Sequence, residues 1–484
     1  MSFLKAKLCL PLLTGAITML LACGKSTPAP VVVTPDLPDP NASSDVAFYM
    51  TTIDKTSLFR KQAEVLNFGT ASNSFQTITV DDSQTYQTMD GFGYTLTGGS
   101  ASLINAMGAT EQAALLKELF GTDGDAIGVS YLRISIGASD LSSSAFTYND
   151  LLTGQTDVNL TNFAINREKT ELIPVLKKIL AINPNIKILG SPWSAPIWMK
   201  TNGSFVGGKL HTDYYAAYAQ YFVKYIQAMK AEGITIDAIT IQNEPLNPYN
   251  NPSMVMEATE QATFIKTNLG PAFRTAGITT KIILYDHNAD RPDYPITIMN
   301  DATAKAFVDG SAFHLYGGTI DALTQVHNAH PDKAVYFTEQ WMQSPGPFPG
   351  NLQWHMENLI IGAPRNWSKN VLEWNLAADQ NNAPHTTGGC SDCLGAITIN
   401  GSSVTRNLAY YLIAHASKFV RPGSVRIASN TVTNMPNVAY KTPEGKKVLI
   451  VQNKNAQDQS FNIKFNNKTV TSTLKANAAG TYVW

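Results

Sequence analysis

Between about residue 88 and residue 420, short runs of apolar and β-branched residues alternate with stretches whose apolar positions recur every three or four residues. The short runs are "DGFGYTL" (90–96), "GVSYLRISIG" (128–137), "IKILGSPWS" (186–194), "ITIDAITIQNE" (234–244), "KIILYDHN" (281–288), "AFHLY" (312–316), "AVYFTEQW" (334–341) and "VLEWNLA" (371–377). Near-continuous apolarity marks strands of a parallel sheet covered on its outside. The intervening "REKTELIPVLKKILAI" and "YYAAYAQYFVKYIQAMKAEG" carry apolar stripes at helical spacing. Eight such units predict an α/β fold, a (β/α)8 TIM barrel over residues 86–420, as a more economical closure than an open doubly wound sheet. Residues 46–85 and 421–484 read instead as strands and turns, for example "KKVLIVQN", "QSFNIKF" and "TYVW". They predict one small side β-sandwich formed by both termini.

Composition narrows the partners. With 44% hydrophobic and 15% charged residues, the 484-residue chain has the makings of a sizeable core. Its 36 Lys+Arg against 37 Asp+Glu leave a formal charge of −1, without the basic footprint that nucleic acid requires. A neutral polymer or small molecule suits this surface better. The start of the chain has another purpose: Lys5 and Lys7 precede "LCLPLLTGAITMLLAC", a stretch too short and wrongly flanked to span a membrane. Its "LLAC" end resembles the lipobox of a bacterial lipoprotein. That implies a signal peptide over 1–22, acylation of Cys23 and anchoring at the outer membrane or cell surface through the lipid alone. Residues 23–45, rich in Pro, Ser and Asp, read as a flexible tether. Cys390 and Cys393 in "GGCSDCLG" then remain. With no second cysteine pair for zinc and no thioredoxin-like context, they read as a disulfide staple, which an extracytoplasmic setting permits.

In a TIM barrel the chemistry lies at the C-terminal ends of the strands. That rim carries Arg133, Asp140, Trp193, Asn243, Glu244, Asp286, His287, His314, Tyr316, Glu339, Trp341, Glu373 and Trp374. Glu244, in "TIQNEP" at the end of the fourth run, and Glu339, at the end of the seventh, face one another across the mouth. A carboxyl group where a buried strand opens into a pocket is partly desolvated, and a second one nearby keeps one of the two protonated while the other is ionised. Such a pair cleaves glycosidic bonds: one acid protonates the leaving oxygen, and the other attacks the anomeric carbon when the two stand about 5–5.5 Å apart. A strand-end glutamate can equally be a cap or half of an ion pair; two of them, each among polar and aromatic neighbours, favour chemistry.

The strings "GFG" (91–93), "LRISIGASDLS" (132–142), "SPWSAPIWMKTNG" (191–203), "IQNEP", "FHLY" (313–316), "FTEQW" and "EWNLA" (373–377) run in order over nearly the whole chain after residue 85. Together they resemble glycoside hydrolase family 30, which contains glucosylceramidases and microbial β-1,6-glucanases. The resemblance implies a (β/α)8 barrel with a side β-sandwich and retaining hydrolysis of a β-glycosidic bond, with Glu244 as acid/base and Glu339 as nucleophile. It further implies that Asn243 donates to the sugar 2-hydroxyl and that Tyr316 bonds Glu339. Arg133 and Asp140 match the second-strand motif, with Asp140 on sugar hydroxyls, and Trp193 and Trp374 offer faces to sugar rings. His287 and Trp341 join the substrate-binding set, whereas His314 and Trp198 read as packing. "GFGYTLTGGSA" (91–101) lacks the acidic residue of glucosylceramidase-like sequences and looks more like the bacterial β-1,6-glucanase branch.

The expectation is therefore a retaining endo-β-1,6-glucanase acting on β-glucan, needing no metal or cofactor because two carboxyl groups supply both proton transfer and covalent catalysis. The alternatives are a related β-glycosidase acting on glucosylceramide, xylan or β-1,6-galactan, or a non-catalytic glycan-binding lipoprotein, which would have no use for matched carboxylates. A serine hydrolase is disfavoured, because the nearest string to a G-x-S-x-G elbow, "GGSAS", lacks its last glycine.

Overall fold

The computed structural model describes residues 43–70 and 73–484; the expected signal peptide, Cys23 and all but the end of the expected tether lie outside the described residues. Each of the eight apolar runs overlaps a strand: β1 (Gly91–Thr95), β2 (Tyr131–Ser135), β3 (Lys187–Ser191), β4 (Ala238–Thr240), β5 (Lys281–Ala289), β6 (Gly310–Gly318), β7 (Ala334–Glu339) and β8 (Ser368–Asn375). They pair in parallel in chain order, and β8 returns to β1 to close the barrel. Closure removes the unpaired edges that an open sheet would leave.

Alternation along the strands sorts the side chains into two cores. Leu132, Ile188, Ile239, Phe337 and Val371 point outward onto the helices in the main core. Tyr131, Leu189, Ala238, Ile283, Ala312, Tyr336 and Leu372 point inward and form a separate apolar plug. Two residues further along each strand the next inward position is reached, and there the barrel turns polar: Arg133, Ser191, Thr240, His314 and Thr338 are all fully buried. Strand β5 breaks the count. Two steps from Ile283 lead to Tyr285, but Tyr285 and Asp286 have φ of 70° and 67°, and pairing with β6 slips between Tyr285 and His287. The slip turns Tyr285 outward onto Tyr294 and Phe313 and brings Asp286 into the polar layer.

The sandwich draws on both ends of the chain, as the pattern predicts. Ala47–Thr51 pairs antiparallel with the last strand, Ala479–Val483. The long strand Thr77–Thr88 pairs in parallel with Gln459–Phe465 and antiparallel with Val425–Ser429. It thus joins nine strands into one hydrogen-bonded order. The two faces meet around Phe48, which stacks on Tyr482 at 4.4 Å, and Phe461, edge-on to Tyr482 at 5.7 Å. Ser44 and Asp45, expected in the tether, already bond to Leu66, Asn67 and Phe68 and belong to this unit. His415, buried on the helix Leu408–Ser417, bonds Thr51 and Thr481 at 2.8 Å each and so fastens barrel to sandwich. Among the described residues no helix is long and apolar enough to cross a membrane.

Candidate active site

Asp286 is the hub of the polar layer. Its carboxylate accepts from Arg133 Nη2 and Ser191 Oγ at 2.7 Å, Thr240 Oγ1 at 2.8 Å, Thr338 Oγ1 at 2.6 Å and, on the His314 side, Nε2 at 3.2 Å. Arg133 reaches onward: Nη1 donates to Glu339 Oε2 at 2.5 Å, and Nη2 also donates to Asn243 Oδ1 at 2.7 Å. Its guanidinium lies 4.7 Å from the Trp193 ring, which covers it from solvent. A buried cation is tolerable when its charge is paired, and two carboxylates and an amide take up its terminal nitrogens, although Nε is buried without a partner.

One step further out are the two glutamates. Glu339 is the last residue of β7, whose pairing with β6 is irregular between Phe337 and Glu339, so that Thr338 and Glu339 both serve the site. Tyr316 donates its hydroxyl to Glu339 Oε1 at 2.9 Å. Glu244 does not end β4 directly, since that strand stops at Thr240; the chain continues to Glu244, whose φ of 44° turns its side chain into the mouth. Its Oε2 accepts from Asn247 Nδ2 at 2.7 Å and Asn250 Nδ2 at 3.3 Å, and its Oε1 faces His314 Nδ1 at 3.1 Å. One carboxylate oxygen of Glu244, one of Glu339 and a ring nitrogen of His314 all lie within 4.8 Å of one another. These three have the spacing of a cation site, but Arg133 and His314 already bring positive charge to them.

His314, expected to be packing, is therefore a correction. Both of its ring nitrogens face carboxylates, which only accept, so the ring is held as an imidazolium with two donors. Burial opposes that charge, yet Glu339, Asp286 and Glu244 outweigh it and raise the His314 pKa to about 9. The effect on Glu244 is a second correction. Burial alone would push it up, but the His314 hydrogen bond and charge, together with His287 and Asn247, hold it at about 2. Glu339 moves the other way: burial raises it, and the nearby charges of His314 and Arg133 offset this only in part. These charges favour an ionised Glu244 beside a protonated His314, in place of a Glu244 kept neutral by Glu339.

The cleft above has a volume of about 400 Å3. Asp140, His287, Tyr316, Trp341, Trp374 and both cysteines line it, as do residues 246–250 beyond Glu244. Asp140 is buried, and burial with the charge of Glu339 raises it to about 7 against the hydrogen bond from the Cys390 amide. That amide belongs to a loop closed by the Cys390–Cys393 disulfide and tied to Asp140 again by Thr386 N, 2.8 Å from its carbonyl oxygen. His287 is pushed down by burial, and its Nδ1 accepts from the Leu246 amide. Trp193 and Trp374 pack on one another at 5.4 Å; both line the cleft, and both also lie against the Arg133 guanidinium. Glu373 points away from the cleft to His355, as alternation with the inward Leu372 requires. Trp198 packs on Tyr214 and bonds Asn149. Asn247 and Asn250 carried no sequence signal beyond their closeness to Glu244.

Residues 89–420 match the glycosyl hydrolase family 30 TIM-barrel domain, and residues 423–482 match the family 30 β-sandwich domain. The chain belongs to glycosyl hydrolase family 30. An endo-1,6-β-D-glucanase of Neurospora crassa is 39% identical over 415 residues, 81% of this chain and 85% of that protein. A putative glucosylceramidase 2 of Caenorhabditis elegans is 30% identical over 446 residues, 87% of this chain and 84% of that protein. Among solved structures, the endo-β1,6-glucanase BT3312 superposes with a TM-score of 0.84 at 38% identity, covering 91% of this chain and 99% of that one. This family 30 chain is accordingly a glycoside hydrolase whose barrel and sandwich both have counterparts in its relatives.

Proposed function

We propose that the chain is a retaining endo-β-1,6-glucanase. The observation that carries the reading is that one carboxylate oxygen of Glu244 and one of Glu339 lie within 4.8 Å of each other, the close spacing that a double displacement needs. Glu339, aimed by Arg133 and Tyr316, attacks the anomeric carbon; the glycosidic C–O bond breaks, and its electron pair leaves with the oxygen. Glu244 gives that oxygen a proton, which it draws from His314 across 3.1 Å. In the glycosyl-enzyme the ester at Glu339 carries no charge and Glu244 stays ionised; it takes a proton from the water that releases the sugar and passes it back to His314, which restores the starting state. The β-1,6-glucan substrate is supported by the Neurospora and BT3312 relatives, which are named for that activity. Attachment to a bacterial membrane through a lipid on Cys23 is supported by the sequence "LLAC" alone.

Purified protein should release short β-1,6-linked glucose oligomers from pustulan, with the β-anomer appearing first by NMR, and should leave xylan and glucosylceramide largely untouched. An α-anomer appearing first would rule out the double displacement. Glu339→Gln should remain folded and lose turnover. In a bacterial host that processes lipoproteins, mass spectrometry should find the acyl chains on Cys23, and Cys23→Ser should release the protein from the membrane fraction.

A further inference from the structure

Tyr249 is the most exposed large hydrophobic side chain of the described residues, at 84%, and yet it lines the catalytic cleft. It lies on the segment that follows Glu244, "PLNPYNNP" (245–252). The segment is anchored on both sides of the tyrosine: Asn247 and Asn250 each donate to Glu244 Oε2, and Asn247 Oδ1 accepts from the Tyr249 amide at 3.0 Å. Beyond it, Asn251 Nδ2 donates to the Thr387 carbonyl at 3.0 Å, and Asn251 O accepts from Thr386 Oγ1 at 2.5 Å. Prolines 245, 248 and 252 further restrict the backbone. These bonds restrain the backbone that carries Tyr249, and its ring stands in solvent at the edge of the cleft.

Its place identifies what it meets. In the proposed reaction Glu244 serves the leaving oxygen, and the segment that continues from it, Leu246 to Asn250, forms the wall of the cleft beside that glutamate. We infer that Tyr249 is the stacking platform for a glucose unit on the leaving-group side of the cleavage point, a specificity residue for polymer over short glycosides. A sugar ring has a C–H-rich face, and an aromatic ring carried on a restrained backbone binds it at a lower ordering cost than one on a mobile loop.

The inference rests on the proposed glucanase reading, and the test separates the two. Tyr249→Ala and Tyr249→Trp would be compared with wild type on a β-1,6-linked glucose hexamer and on the 4-nitrophenyl β-glycoside of the β-1,6-linked glucose disaccharide, whose leaving group carries no sugar. Tyr249→Ala should lower kcat/KM on the hexamer about tenfold, the ratio that corresponds to a 1.4 kcal/mol loss. It should leave the nitrophenyl substrate within about twofold, and Tyr249→Trp should restore the hexamer. Equal losses on both substrates would show a collapsed loop, and unchanged hexamer cleavage would show an idle side chain; either overturns the inference. If wild type itself cleaves neither β-1,6 substrate, the glucanase reading fails first.

Discussion

At the scale of single residues, the site is organised by how five charged side chains share their charges in a dry layer. Asp286 and Arg133 fix one pole, and His314 stands between Asp286 and both glutamates. His314→Asn keeps a small polar side chain but loses the proton, and kcat/KM should fall at least about 10²-fold with the circular dichroism spectrum unchanged. The pH profile follows from the same charges. Glu339 must be ionised to attack, and its raised pKa means that activity is lost on acidification sooner than for an ordinary carboxylate. His314 must hold its proton, so activity falls again as pH rises through about 9. Tyr316→Phe removes a donor from the ionised form of Glu339 and should move the acid limb of kcat/KM to higher pH. Glu244→Ala should be rescued by azide on a nitrophenyl glycoside, since a good leaving group needs no acid; failure of rescue would count against the acid/base role.

Loops and strand ends decide how these residues are presented. The segment from Thr386 to Cys393 holds Asp140 by two backbone amides and meets the Glu244 loop at Asn251. The four-residue disulfide ring adds roughly 2 kcal/mol at most by the chain-entropy argument. Its greater effect is on Asp140: replacing both cysteines by serine should raise KM several-fold while kcat changes less, as measured by steady-state kinetics. The pair Gly98-Gly99 of "GFGYTLTGGSA" starts a helix capped by Thr97. A Cβ on Gly99 would stand 2.6 Å from the Leu141 carbonyl oxygen and 3.1 Å from Pro384. Gly99→Ala should therefore cost about 1–3 kcal/mol in thermal or urea unfolding, the range for forced overpacking. The glycine thus serves close packing of the first helix beneath the loops after β2 and β8, whereas Tyr94 from the same string bonds the Ala409 carbonyl, outside the barrel.

Across the whole molecule, barrel and sandwich are joined through His415, which burial pushes down to about 3. Its folded pKa lies below the unfolded value, so the unfolded chain binds the extra proton, and stability is lost as pH falls from about 6.5 towards 3. His415→Gln keeps a donor and an acceptor without titrating and should flatten that part of the stability–pH curve, measured by urea unfolding at several pH values. The eight strands, the two-ended sandwich and the pair Glu244 and Glu339 were legible in the sequence, because apolar runs, turn residues and carboxyl groups at strand ends are local signals. What they could not contain is register. Counting by twos from Ile283 points to Tyr285, and only the slip in β5 brings Asp286 inward; counting by twos from Ala312 does reach His314, but nothing local says that its ring meets three carboxylates. Sequence determined which groups stand at the mouth, since strand periodicity is a property of the backbone. Tertiary structure decided which of them carry the proton, since a pKa depends on partners that arrive from distant strands and on the water those strands exclude.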